Sequence, residues 1–288
     1  MTEALEQVAP AAKPPRASPV PSQALLEEKA NPCVTPEIEA EHVQAVYDTI
    51  ALHWSNTRYK PWPKVAAFLS ELPRHSLVAD VGCGNGKYLR CAPQCMTVGS
   101  DASLPLLEVC MQRHHQKILE EGGEEKGDIA EVLCADNMSL PYRSGVFDAV
   151  ISIAVLHHFS SAARRLRALE EMSRLLRPGG SMLVYAWAQQ QGEDSRRRFE
   201  TQDVLVPWHL ADRLVAPGPS VASHGVRDEE KNSTCYQRYC HVYQEGELEA
   251  LCEQVETLEL VSSYFDCDNW CAVVRKKNCP GAATESVP

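Results

Sequence analysis

Residues 78–88 read VADVGCGNGKY, an apolar run that passes into glycines at 82, 84 and 86. Glycines directly after a strand let backbone N–H groups approach a ligand closely, and they normally open a helix, so this stretch demands a strand–loop–helix unit. Strand-like runs at 77–81, 95–100, 131–135, 147–153 and 181–187 alternate with helical stretches at 86–92, 103–120 and 161–177, the last stopped by Pro178-Gly179-Gly180. Such alternation predicts a mostly parallel sheet covered by helices on both faces. Helices are expected at 37–54 and 63–72 before it, with Pro63 in a first turn. After it come a polar loop at 211–234, a helix at 246–256 and strands at 257–264 and 269–275. The last two are joined by a hairpin-short link, so the seventh and last strand enters antiparallel.

The flanks differ in composition. Residues 1–36 are rich in Pro and Ala with few large apolar side chains, and are expected to form a disordered tail, as is 278–288; the domain is placed at 37–277. No apolar run reaches the roughly 20 residues that span a bilayer, so no membrane association is expected. Twelve cysteines occur, but the closest spacings, Cys91/Cys95, Cys235/Cys240 and Cys267/Cys271, are not C-x-x-C pairs. They read as reduced thiols of a cytosolic protein, without a metal site. The net charge of −11 at first argues against a nucleic-acid partner. The acid is concentrated in 1–45 and 117–131, however, and basic clusters stand elsewhere: Arg164, Arg165 and Arg167; Arg196, Arg197 and Arg198; Arg275, Lys276 and Lys277.

Three ligands compete for the glycine turn. A P-loop requires Ser or Thr after its lysine, whereas Tyr88 follows Lys87 here; a dinucleotide fold requires G-x-G-x-x-G, whereas this is G-x-G-x-G. Neither explains Asp80, an acid that repels phosphate. S-adenosylmethionine does, because it carries an ammonium and a sulfonium and no phosphate. Gly82, Gly84, Asn85 and Gly86 then form the close approach to it. Asp101, ending the second strand, suits the ribose hydroxyls, and Asp136 with Asn137 and Met138, past the third strand, suits the adenine. The expected fold is therefore α/β, a Rossmann-like class I S-adenosylmethionine-dependent methyltransferase.

A closer resemblance rests on VYDTIALHWSNTRYKPWP (46–63), DVGCGNGKYL (80–89), ISIAVLHHFS (151–160), YAWAQ (185–189), QDVLVPWHL (202–210), YCHVYQEGELEAL (239–251) and DNWCAVVRKK (268–277). Together these resemble the tRNA wobble-uridine carboxymethyl methyltransferases. The resemblance implies methyl transfer to the carboxylate of 5-carboxymethyluridine, giving 5-methoxycarbonylmethyluridine. It also implies a tRNA anticodon stem-loop as substrate, a small zinc-binding activator subunit as heterodimer partner, and a cytoplasmic location that can extend to the nucleus. A carboxylate is ionised at neutral pH and needs no general base, so no catalytic residue is assigned. Arg58, Tyr59, Lys60, His157, Arg196, Trp208 and Arg238 are the candidates for positioning the substrate, Trp208 by stacking on an anticodon base, with core or lid packing as its other reading. Two other readings share the cofactor half: a small-molecule carboxyl or quinone-type methyltransferase, and a non-catalytic scaffold that binds the cofactor.

Overall fold

The computed structural model describes residues 17–20, 31–120, 131–193, 195, 197–215, 222 and 224–278. In chain order the strands and helices are β1 (Ser18–Pro19), α1 (Glu37–Glu39), α2 (Ala45–Thr57), α3 (Pro63–Ser70), β2 (Leu77–Val81), β3 (Met96–Asp101), α4 (Leu104–Glu120), β4 (Glu131–Cys134), β5 (Phe147–Ile153), α5 (Ala162–Leu175), β6 (Leu176–Trp187), β7 (Asp203–Ala211), β8 (Val226–Asp228), β9 (Ser233–His241), α6 (Glu247–Glu253), β10 (Leu258–Asp266) and β11 (Asn269–Lys276). A π-helical turn, Ala40–Gln44, joins α1 to α2. Among the described residues no helix is long and apolar enough to cross a membrane.

Seven strands form one sheet in the order β10-β11-β6-β5-β2-β3-β4. Strands β6, β5, β2, β3 and β4 run parallel, and β11 enters antiparallel between β6 and β10. Both faces are apolar, as a sheet covered on both sides requires. Ala79, Val81, Val150 and Val184 pack under α5 and α6 with Leu169, Met172 and Leu251; Val78, Ala149, Ile151 and Leu183 pack under α3 with Val65 and Leu69. Helix α5 begins where the Ser161 side chain accepts a hydrogen bond from the Arg164 N–H, the usual N-terminal cap.

Four expectations are corrected. Residues 86–92 form successive turns instead of a helix, because Gly84 and Gly86 hold φ at +55° and +72°. Strand β6 starts at Leu176 instead of 181, and Pro178-Gly179-Gly180 lie in a register shift between the Phe147–Leu176 and Ala149–Ser181 pairs. The stretch expected as a polar loop at 211–234 contains β8 and the start of β9. These strands, with β7, build a second, antiparallel sheet of order β1-β7-β9-β8. Pro207 hides β7 from a sequence reading, since proline rarely occupies a paired strand, yet it sits opposite Gln237 in the ladder. Finally, part of the expected tail is docked: Ser18 and Pro19 pair with Leu205 and Val204, and Val20 is buried. Residues 1–16, 21–30 and 279–288 lie outside the described residues.

The second sheet is tied to the domain by His241. Its Nδ1 is 3.0 Å from Asp203 Oδ1 and its Nε2 is 2.7 Å from Glu247 Oε1, joining the ends of β7 and β9 to α6. Burial works against the imidazolium, but the two carboxylates outweigh it and raise the His241 pKa. A His pKa raised on folding adds stability that is complete below the unfolded value of about 6.5 and is lost as pH climbs through the folded value. Urea unfolding midpoints are thus expected to fall from pH 6 to pH 9, and to fall less in H241Q. An equal fall in both proteins would mean that His241 is not the titrating group.

Candidate active site

A cavity of about 630 Å³ opens at the C-terminal ends of β2, β3, β4 and β5, where open α/β sheets hold their ligands. Its floor is the glycine turn. Gly82 and Gly84 both have positive φ, +80° and +55°. A side chain at Gly82 would overlap Val155, and one at Gly84 would come 3.1 Å from the Trp54 ring. Asn85 ties the turn to the end of α2: its Nδ2 donates to Ser55 Oγ at 3.1 Å and to the carbonyl oxygens of Ser55 and Arg58, both at 3.3 Å. Gly86 does not face the cavity; it turns back against Cys110.

The acids at the strand tips are arranged for a cation. Asp80 is 1% exposed, and its Oδ2 has no hydrogen-bond partner. Burial pushes its carboxyl up to about 7, against the opposing pull of Lys87. Asp101 accepts from Gly84 N and Ser103 N, each at 2.9 Å, one on each oxygen. Each oxygen keeps a lone pair for a ribose hydroxyl. Burial raises its pKa as well, with the Ser103 and Gly84 N–H groups pulling the other way. Asp136 and Asn137 line the same wall, Asp136 accepting from Met138 N at 2.9 Å. Met138 itself, expected against the adenine, is 1% exposed and packs in the core under α5. The orphaned Asp80 oxygen, the close-approach glycines and the three acids fit S-adenosylmethionine.

The opposite wall is cationic. Arg58, Arg197 and Arg238 all line the cavity. Arg238 is 3% exposed, with its guanidinium 4.8 Å from the Trp208 ring centre and 5.7 Å from that of Trp187. Arg197 lies 4.2 Å over Trp187 and Arg58 5.9 Å over Trp208, distances at which indole faces attract cations. Among the described residues no carboxylate pairs with any of the three. Burial and repulsion by Arg238 lower the pKa of both Arg58 and Arg197. Trp208 is therefore a buried support for guanidinium groups, which favours the packing alternative over base stacking. Arg196 lies outside the described residues; its neighbour Arg197 is the member of the triplet that reaches the site, and Arg198 is exposed.

His157 joins the two walls. It is 1% exposed, lines the cavity, and stacks on Trp187 at 4.8 Å. Burial and the positive groups nearby hold its pKa well below the ordinary value, so the ring is neutral. The Trp187 N–H donates to its Nδ1 at 3.3 Å, which leaves the proton on Nε2 as a neutral donor. Tyr59, 53% exposed, and Lys60 form the outer rim, while Trp62 stacks inside on Tyr185. Sequence reasoning gave no site role to Tyr47 and Trp187, which reach the site only through tertiary packing, or to Lys87, which belongs to the glycine turn itself. Asn269 is structural: its Nδ2 donates to the Cys267 and Asp266 carbonyls of the β10–β11 turn.

Residues 79–184 match the protein family described as "Methyltransferase domain". The chain is 39% identical over 243 residues to the tRNA (carboxymethyluridine(34)-5-O)-methyltransferase of Schizosaccharomyces pombe, covering 83% of this chain and 98% of that protein. The chain belongs to the tRNA (carboxymethyluridine(34)-5-O)-methyltransferase family. Another member, alkbh8 of Xenopus tropicalis, is 37% identical over 294 residues, covering 88% of this chain and 44% of that one. The chain thus spans less than half the length of that longer relative. In fold it is similar to the CcbJ methyltransferase of Streptomyces caelestis, with a TM-score of 0.56 at 17% identity, covering 81% of this chain and 98% of that one. S-adenosylmethionine is the cofactor of this methyltransferase family, and the glycine and acid half of the cavity is the part that fits it.

Because Asp80 is protonated below about 7 in the free protein and must ionise to face a cation, cofactor affinity depends on pH. Calorimetric Kd values are expected to rise about tenfold per pH unit below 7 and to level off above 8. The variant D80N should bind more weakly at pH 8 and lose that dependence. A flat profile in the wild type would remove Asp80 from the cation site.

Proposed function

We propose that this chain transfers a methyl group from S-adenosylmethionine to the carboxylate of 5-carboxymethyluridine at the wobble position of tRNA. The observation that carries the reading is the set of guanidinium groups, Arg58, Arg197 and Arg238, held in the cavity without a described carboxylate partner. Arg238 is buried and Arg58 and Arg197 are half-buried, and cations left bare in such a site are costly, so the site calls for an anionic ligand beside the cofactor. S-adenosylmethionine supplies, when bound, a methyl group on a positive sulfur, which needs only an anionic oxygen aligned with it.

The residues then act by placement. Asp80 faces the positive end of the cofactor, Asp101 the ribose, and Asp136 with Asn137 the adenine. Arg238 and Arg197 hold the substrate carboxylate, each guanidinium lying over an indole face. His157 Nε2–H adds a neutral hydrogen bond, which orients an oxygen without drawing off as much charge as a further cation would. No proton has to move, because a carboxylate with a pKa near 4 is ionised at neutral pH. Orientation is the contribution the protein makes. Tyr59 and Lys60 at the rim are where the rest of the anticodon loop would lie.

The test is methylation of an anticodon stem-loop carrying 5-carboxymethyluridine, read by nucleoside mass spectrometry. R238Q is expected to lower kcat/KM by about a hundredfold, as for loss of a buried charge-assisted pair, with cofactor Kd unchanged. Equal turnover of free small carboxylic acids would favour the small-molecule reading instead.

We also propose that a small zinc-binding activator subunit covers the free margin of the large sheet. Strand β4 has a neighbour on one side only among the described residues. Met96, Leu104 and Leu133 beside it are 64%, 55% and 42% exposed, an apolar margin suited to a partner. The double variant M96D/L133D is expected to abolish co-purification with such a subunit while the far-ultraviolet circular dichroism is kept. Undiminished co-purification would place the partner elsewhere.

A further inference from the structure

Arg238 is nearly fully buried, yet its guanidinium has one described hydrogen-bond acceptor, the Tyr47 hydroxyl, 3.3 Å from Nη1. Its Nε finds none. The indole of Trp208 attracts the cation but barely fixes its direction. Direction has to come from Tyr47.

The orientation of that hydroxyl is itself determined. His158 Nδ1 lies 2.9 Å from the Tyr239 carbonyl oxygen, which can only accept, so Nδ1 carries the proton. Burial pushes the ring down to about 4, so it is neutral and Nε2 is a bare acceptor. The Tyr47 hydroxyl, 3.0 Å from Nε2, must therefore donate to it. Its oxygen lone pairs are left for the N–H of Arg238. The hydrogen bonds run one way, from Arg238 to Tyr47 to His158 to the carbonyl of Tyr239, the residue next to Arg238 on β9. The chain closes on itself through helix α2, the turn Leu156–His158 and strand β9.

We propose that Tyr47 is a positioning residue for methyl transfer: held by His158, it aims Arg238 at the substrate carboxylate. The inference rests on the carboxylate substrate proposed above. Tyr47 also faces the cavity, so the clamp stands beside the reacting group rather than behind it.

The test uses the full chain and the carboxymethyl stem-loop. Y47F keeps the ring and is expected to raise KM about tenfold, the scale of one lost hydrogen bond to a charged group, with cofactor Kd and unfolding midpoint unchanged. H158L should match it, and Y47F/H158L should be no worse than either, because the chain acts as a unit. H158Q, which keeps an acceptor toward Tyr47, should restore most of the loss. Wild-type KM in Y47F, or additive losses in the double variant, would overturn the inference. The Arg238 side-chain nitrogen NMR signal reads the clamp without turnover: ordered in the wild type and averaged in Y47F. Equal signals would also overturn it. An ordered wild-type signal in a protein that methylates no stem-loop would remove the proposed substrate but leave the clamp.

Discussion

One cavity holds a buried acid, Asp80, and a buried guanidinium group, Arg238, each with half-buried groups of its own sign beside it, and no described ion pair joins the two sets. Asp80 keeps an oxygen without a partner, and Arg238 keeps its Nε without one. Isolated charges in a protein interior are unfavourable by several kcal/mol each unless something of opposite sign reaches them. Such an arrangement persists only where the rest of the fold over-determines it, and its use is to meet ligands of matching charge. Under the proposed function, a cationic cofactor at the acids and an anionic acceptor at the arginines would satisfy both sets of charges at once.

The fold keeps the walls apart by building them from different layers. The acids come from the tips of the parallel strands β2 and β3 and from the turn after β4. Two of the cations come from the polypeptide laid over those tips: Arg58 from the end of α2 and Arg238 from β9 of the second sheet. That cover is anchored by a buried ion pair, Glu39 with Arg164, at 2.9 Å and 4% and 3% side-chain exposure. Glu39 also accepts from Ser160 N and Oγ at 2.7 and 2.8 Å, while Arg164 donates to the Val34 carbonyl at 3.0 Å and to that of Pro32. Paired and hydrogen-bonded in this way, the two charges hold the helical cover in one place. The π-helical turn Ala40–Gln44 lies next to that anchor and brings Val43 and Gln44 onto the cavity, a common use of such turns.

Much of the fold is legible in the sequence because its signals are local. The run FDAVISI reads as a buried strand from its β-branched and aromatic residues, and it is β5 without a residue's error. Asp80 and Asp101 are legible for the same reason, each ending an apolar strand, and the glycine turn follows from its own spacing. Trp208 shows the limit. Its surroundings, Arg238 beside its ring and His53 edge-on at 5.2 Å, come from segments far apart in the chain, so no local pattern tells a buried indole from an exposed one. Met138 is the same case, an apolar residue beside the right acid but turned into the core.

The sequence alone determined the parallel sheet, its antiparallel final strand, the cofactor class and the strand-tip acids that line the cavity, because strand periodicity and strand-tip loops depend on neighbours within a few residues. Tertiary structure decided the rest. It turned Arg197 rather than Arg198 onto the cavity, made a paired strand of the Pro207 segment, set the tautomers of His157 and His158 through the Trp187 N–H and the Tyr239 carbonyl, and brought Tyr47 to Arg238 across 191 residues. Hydrogen-bond direction and charge burial depend on which atoms meet in space, and no spacing in the chain encodes them.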